Sequence, residues 1–191
     1  MIDATSKRGA VMAAALELIS EHGFHGASTA MIAERAGVGV GTIYRYFATK
    51  DELISALYLE LKTRFSQALL ARDDEGLELK MRFERIWTAL VREYAAHPTE
   101  LRFIEQYAHS PFLSRETRGQ QTELSAPFNR LFERGRATGV LRELPPDVLR
   151  ALMYGAALQL AKAHIGGLEL NDTLLAASFE ACWDAVRVIG E

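Results

Sequence analysis

Residues 28–53 read STAMIAERAGVGVGTIYRYFATKDEL. Three glycines stand at alternate positions, Gly37, Gly39 and Gly41, and the aromatics Tyr44, Tyr46 and Phe47 follow directly. Such alternation first suggests a phosphate-cradling turn, because backbone without Cβ atoms approaches an anion closely and a following helix N-terminus favours its charge. The spacing rejects that reading. A dinucleotide fingerprint needs glycine where this chain has Thr42, and no Gly-Lys-Ser/Thr ending is present. The preceding STAMIAERA also reads as a Ser-capped helix rather than the strand both motifs require.

The stretch fits a helix-turn-helix instead. Ala33 is small where two short helices should cross, Gly37 follows four residues later where the turn needs positive φ, and Ile43 lies six further on, facing inward. Ile32 and Val38 complete an apolar wedge, with Leu18 and Ile19 of a preceding helix beneath it. Gly39 stands in for a side-chain cap, and Gly41 removes bulk from a surface that a partner approaches. Phe47 is expected in the core. For Tyr44 and Tyr46, helical facing leaves core and surface equally open.

Outward from this stretch the pattern stays helical. Val11, Ala14, Ala15, Leu18 and Ile19 mark a first helix over residues 6–22 that stops at Gly23, and Leu53, Ile54, Leu57, Leu61 and Phe65 mark a long fourth one. Apolar faces recur through Phe83, Trp87 and Tyr94, through Phe103 and Tyr107, and through Leu124, Phe128, Leu131 and Phe132. Pro98, Pro111, Pro145 with Pro146, and Gly166 with Gly167 mark the breaks. The expected fold is all-α, with about nine helices.

The 191 residues, 49% hydrophobic and 25% charged, describe ordinary globular material. Cys182 is the only cysteine, which excludes an internal disulfide or a multi-thiolate zinc site and suits a reducing cytoplasm, the expected location. Glu17 and Glu21 interrupt the N-terminal apolar run, so neither a leader nor a membrane span is expected. Net charge is −3, yet residues 35–50 hold Arg35, Arg45 and Lys50 and no acid, leaving 19 of the 22 bases to face all 25 acids elsewhere. That local excess points to an anionic partner. His22 and His25 flank Gly23 without a carboxylate-rich companion, and no Ser/His/Asp or Cys/His arrangement is apparent, so no metal, cofactor or catalytic residue is expected.

The motif resembles the DNA-binding segment of the TetR family of bacterial transcriptional repressors. The resemblance rests on Ile32 and Ala33, on Ala36, Gly37 and Val38, on Gly41 to Tyr44, on Tyr46 and Phe47, and on Lys50 and Leu53. It covers about residues 8–62. Beyond them the likeness lies in length, helical pattern and the phrase FIEQYAHSPF at residues 103–112. One departure is Gly39, where the family commonly has a serine cap; the helix loses only a few tenths of a kcal/mol by it.

By that resemblance, residues 1–48 form a three-helix DNA-binding domain, and residues 49–191 a helical effector-binding and dimerisation domain. Thr42, Tyr44, Tyr46 and Lys50 would hold DNA phosphates, together with Ser28 or Thr29. Val40 and Arg45, beside the small Gly41, are the candidates for base edges, since an arginine fork pairs with guanine in the major groove. The family also implies an effector pocket, for which the aromatics Trp87, Phe103, Tyr107, Phe128, Phe132 and Tyr154 are candidates, although core packing alone explains each. They suit a hydrophobic or aromatic small molecule.

Residues 145–167 and the last helix carry more apolar surface than one chain needs, which points to a homodimer. Leu149, Leu152, Met153, Ala156 and Leu160, with Leu175, Phe179, Cys182, Trp183 and Val186, are the interface candidates. The expected function is thus a repressor that binds a pseudo-palindromic operator as a dimer and is released by an effector. The alternative is a helical partner-binding protein without DNA affinity.

Overall fold

The computed structural model describes residue 2 and residues 5–189. Its helices are α1 (Lys7–Gly26), α2 (Thr29–Arg35), α3 (Val40–Tyr46), α4 (Lys50–Leu70), α5 (Leu79–Ala96), α6 (Pro98–Ala108), α7 (Arg115–Ala137), α8 (Pro146–Arg150), α9 (Ala156–Ile165) and α10 (Asp172–Val186). A π-helical turn, Ala151–Gly155, joins α8 to α9 without leaving the right-handed helical region. Counted as continuous rods, the described residues form nine helices, and one isolated antiparallel bridge, Leu141 to Arg187, stands in place of any sheet. No helix among these residues is long and apolar enough to cross a membrane.

Two compact units divide the chain. The first runs to Arg64 and takes in Thr99–Thr122; the second comprises Phe65–Pro98 and the residues from Glu123 onward.

Local chemistry accounts for the helix starts in the first unit. Ser6 Oγ accepts from the Gly9 amide and Ser28 Oγ from the Met31 amide, each satisfying a donor that the first turn leaves open. Thr49 and Glu52 form a reciprocal capping box at α4: Thr49 Oγ1 accepts from the Glu52 amide at 3.0 Å and the Glu52 carboxylate accepts from the Ala48 amide at 2.7 Å. Gly37, at φ +64°, ends α2, with the amides of Gly37 and Val38 reaching back to the carbonyls of Glu34 and Ala33. Ile32, Ala33, Ile43 and Phe47 are buried, as are Leu18 and Ile19 of α1, as the spacing predicts. Each fully buried aliphatic side chain in such a wedge contributes roughly 1.5–3 kcal/mol.

The first helix breaks where the sequence places its end. Gly23 sits at φ +72°, ψ 174°, so the regular helix stops there, Phe24 is swung onto a new course, and a further turn runs to Gly26. Its ring meets Phe103, Tyr107 and Phe112, and Tyr107 packs in turn on Tyr58. Helix α6 thereby belongs to the same unit as α1–α3.

The second unit is an aromatic core. Phe83 lies between Phe132 and Trp183, at 5.0 and 5.7 Å between centroids, and Trp87 meets Phe179 edge-on. The Trp87 indole N–H donates to the Met153 carbonyl at 2.8 Å, which anchors the π turn and gives a buried donor its partner. At the entrance to α5, Arg82 grips Asp73 through two 2.7 Å hydrogen bonds. That pairing outweighs the opposing effect of burial and holds the Asp73 carboxyl below its usual range.

Candidate nucleic-acid interface

Helix α3 buries only Ile43, so its other side chains are free to face outward. Tyr44 is 52% exposed and Tyr46 39%, whereas Phe47 is 2% exposed, which resolves the three aromatics into two surface tyrosines and one core ring. Val40, Gly41 and Arg45 are exposed beside them, Thr42 is half-buried, and Ser28 and Thr29 stand at the start of α2. The Ser28 oxygen accepts from Met31, leaving its own proton for an outside acceptor.

A Cβ placed on Gly41 would meet nothing within 4 Å, and the same holds for Gly39. Packing within the chain therefore does not call for glycine at position 41, although glycine inside a helix costs about 1 kcal/mol relative to alanine.

The charge pattern needs correcting. Sequence alone placed three unopposed bases in this segment, but Arg35 is paired at 2.8 Å with Glu17 of α1, and Lys50 donates its ammonium to the carbonyl of Phe24. Arg8, from α1, lies over the Phe47 ring and pairs with Glu60 of α4. Of the three bases, Arg45 alone has no hydrogen bond or ion pair among the described residues. One acid, Glu17, and one carbonyl, that of Phe24, both outside the sixteen-residue window, made the difference.

Matches to known proteins fall on this same architecture. Residues 11–57 match the family described as bacterial regulatory proteins, tetR family, and residues 78–187 match the tetracyclin repressor-like C-terminal domain. The chain belongs to the TetR family. An uncharacterized HTH-type transcriptional regulator of Haemophilus influenzae is 25% identical over 178 residues, covering 93% of this chain and 94% of the relative. The HTH-type regulator BetI of Escherichia coli is 30% identical over 176 residues, covering 83% and 88%. Among solved structures, a TetR family transcription regulator of Marinobacter aquaeolei VT8 superposes with a TM-score of 0.89 at 26% identity, covering 96% of both chains. This TetR-family protein is a transcriptional regulator, and its relatives are regulators rather than enzymes.

The remaining candidate residues separate by unit. Phe103 and Tyr107 lie in the first unit, fully buried, with Tyr107 against half-buried Phe24 and buried Tyr58; Trp87, Phe128, Phe132 and Tyr154 lie in the second. Phe128 and Phe132 each meet the Tyr154 ring in T-shaped contacts, and the Tyr154 hydroxyl is buried with no hydrogen-bond partner among the described residues. Burial pushes that phenol well above its ordinary range. An open groove of about 870 Å³ beside α5 is lined by charged residues such as Arg72, Asp73, Arg85 and Arg92, and by none of the aromatic candidates.

The interface candidates divide by burial. Leu149, Met153, Leu175, Phe179, Trp183 and Val186 are packed into the chain's own core and offer nothing to a second copy. Ala156, Leu160 and Cys182 are half-buried, and Leu152 is exposed. The outward apolar side chains are Val148, Leu152, Ile165, Leu168 and Leu174.

Proposed function

We propose that this protein is a ligand-responsive repressor that binds a pseudo-palindromic operator as a dimer and leaves it when a hydrophobic or aromatic effector binds. The observation that carries the reading is the outward face of α3, where Val40, Gly41, Tyr44, Arg45 and Tyr46 stand exposed on a rigidly buried wedge. Thr42, Tyr44, Tyr46, Ser28 and Thr29 supply hydroxyls to phosphates, which set register. Arg45 and Val40 read bases, the arginine at guanine and the valine against a thymine methyl. Gly41 keeps the surface between them flat, which supports the close approach of DNA.

One reading helix spans too few base pairs for a useful specificity ratio, so a dimer is required. Its contact is assigned to the outward stripe of α8 to α10, Val148, Leu152 and Leu174 with Ala151, Ala177 and Ala181, rather than to the inward residues. Two-fold symmetry then sets half-sites roughly 34–36 Å apart, or a multiple of that. The effector is assigned to the aromatic core of the second unit, around Trp87, Phe128, Phe132 and Tyr154, where the unsatisfied Tyr154 hydroxyl favours a molecule carrying one hydrogen-bonding group.

Selection of duplexes from a random pool, followed by salt-titrated binding and sedimentation of the free protein, tests the reading. Enrichment of an inverted repeat by a dimer is the expected result. A protein that enriches no duplex would return the alternative, a helical partner-binding module.

A further inference from the structure

Helix α4 carries two lysines in contrasting surroundings. Lys50, its first residue, donates to the Phe24 carbonyl and has Asp51 beside it. Lys62, farther along, has no hydrogen bond or ion pair among the described residues, and burial pulls its ammonium below the usual lysine range with no acid pulling it back. A packed cation without an acceptor is costly, and folded chains ordinarily answer one with a carboxylate or a carbonyl.

The helical register shows why this chain does not. Lys62 stands four residues after Tyr58 and seven after Ser55, which places the three on one side of α4. That side is packed inward: Tyr58 is fully buried with its ring 4.7 Å from that of Tyr107, and Ser55 Oγ shares a 2.8 Å hydrogen bond with the Tyr107 hydroxyl. Glu60 and Arg64, two positions before and after Lys62, belong to the other side of the helix. There Glu60 pairs with Arg8 at 3.0 Å and Arg64 with Glu100 at 3.6 Å, so both acids are taken. The residues one turn from Lys62 in either direction, Tyr58, Leu59, Phe65 and Ser66, include no acid at all. Lys62 is half-buried rather than sealed, so a molecule from outside can reach it.

We propose that Lys62 anchors a binding site in the first unit for an organic carboxylate with an apolar body, the ligand supplying the acceptor that the chain withholds. One carboxylate balances one ammonium. A phosphate dianion or a nucleotide would bring charge that no second base on this side of α4 answers, whereas buried Tyr58 and half-buried Leu59, a turn away, suit a hydrocarbon or aromatic body. The site stands apart from the DNA reading of α3 and from the effector assigned to the second unit.

The test is calorimetric titration of the full chain, free of DNA, with benzoate, octanoate and dodecanoate, each against the neutral benzyl alcohol, octanol or dodecanol. The expected result is that at least one carboxylate binds about tenfold more tightly than its alcohol, a preference that Lys62→Arg keeps and Lys62→Met abolishes. The same carboxylate should raise the melting temperature of wild type and leave that of Lys62→Met unmoved. Without ligand, Lys62→Met should melt no lower than wild type, because it replaces an unanswered charge by an apolar chain of similar length. Three outcomes overturn the proposal: no carboxylate preferred over its alcohol, a preference that survives in Lys62→Met, or a ligand-free Lys62→Met that melts below wild type and so shows the ammonium to be satisfied within the chain. A wild-type protein that enriches no duplex refutes the DNA reading alone, since none of these measurements involves DNA.

Discussion

The reading head and the aromatic core of the second unit use the same residue types for opposite ends. Around α3, Tyr44 and Tyr46 stand in solvent, and only Ile43 of that helix is buried. Around α5 and α10, Phe83, Trp87, Phe132 and Phe179 are fully buried and touch one another. A seven-residue helix cannot bury much, so α3 adds only Ile43 to a core built largely by α1, α2 and Phe47, and its tyrosine rings stay exposed. The difference teaches that substitutions in the core should read out as stability, and those on α3 as binding.

The largest expected effect is Phe179→Glu. It removes a buried ring and leaves an unpaired carboxylate in the core, at a cost of at least roughly 5 kcal/mol, so helical content by circular dichroism should fall at once. An interface role for Phe179 demands the reverse, a smaller particle with helicity intact.

Next comes Asp73→Asn, which breaks the two-pronged grip on buried Arg82 and should cost roughly 3 kcal/mol at neutral pH in urea unfolding. The pair also fixes an acid dependence. Because the folded carboxyl lies below its unfolded value of about 4, its contribution is full above that pH and drains away as pH falls through the depressed folded value. Wild type should therefore lose stability in acid more steeply than Asp73→Asn; parallel curves would show that the pair contributes little.

On α3 the comparison inverts. Arg45→Ala should leave the melting temperature where it is and cost about 1–3 kcal/mol of discrimination at one base position, seen as a relaxed consensus in duplex selection. A unchanged consensus removes Arg45 from base reading.

The smallest effect sharpens the contrast most. Gly41→Ala should stabilise the head by up to about 1 kcal/mol, since a Cβ there meets nothing within 4 Å, yet weaken operator binding by crowding the DNA. Stability and binding moving in the same direction would deny Gly41 its proposed role.

Much of the head was legible in the sequence because its determinants are local. The Ser28 cap, the positive φ of Gly37 and the small Ala33 act within a few residues of themselves, and each is found as the spacing predicts. The capping of α4 by Thr49 and Glu52 is equally local, a Thr-x-x-Glu signature at the helix start. The end of α1 proper at Gly23 is local too, since positive φ breaks the helix there before the chain turns again through Phe24 to Gly26.

By itself, then, the sequence determined the helical class, the helix-turn-helix and the family, because period, caps and turn glycines are encoded over one or two helical turns. Only the tertiary structure decided which apolar stripe of α8 to α10 faces inward, since a helix apolar around more than half its circumference supports either choice until neighbours such as Phe83 and Trp87 occupy one side. It likewise decided that Arg35 answers to Glu17, that Lys50 answers to Phe24, and that Phe103 and Tyr107 belong with the head. Those pairings join residues from 18 to 83 positions apart, and no local pattern carries information over such a span.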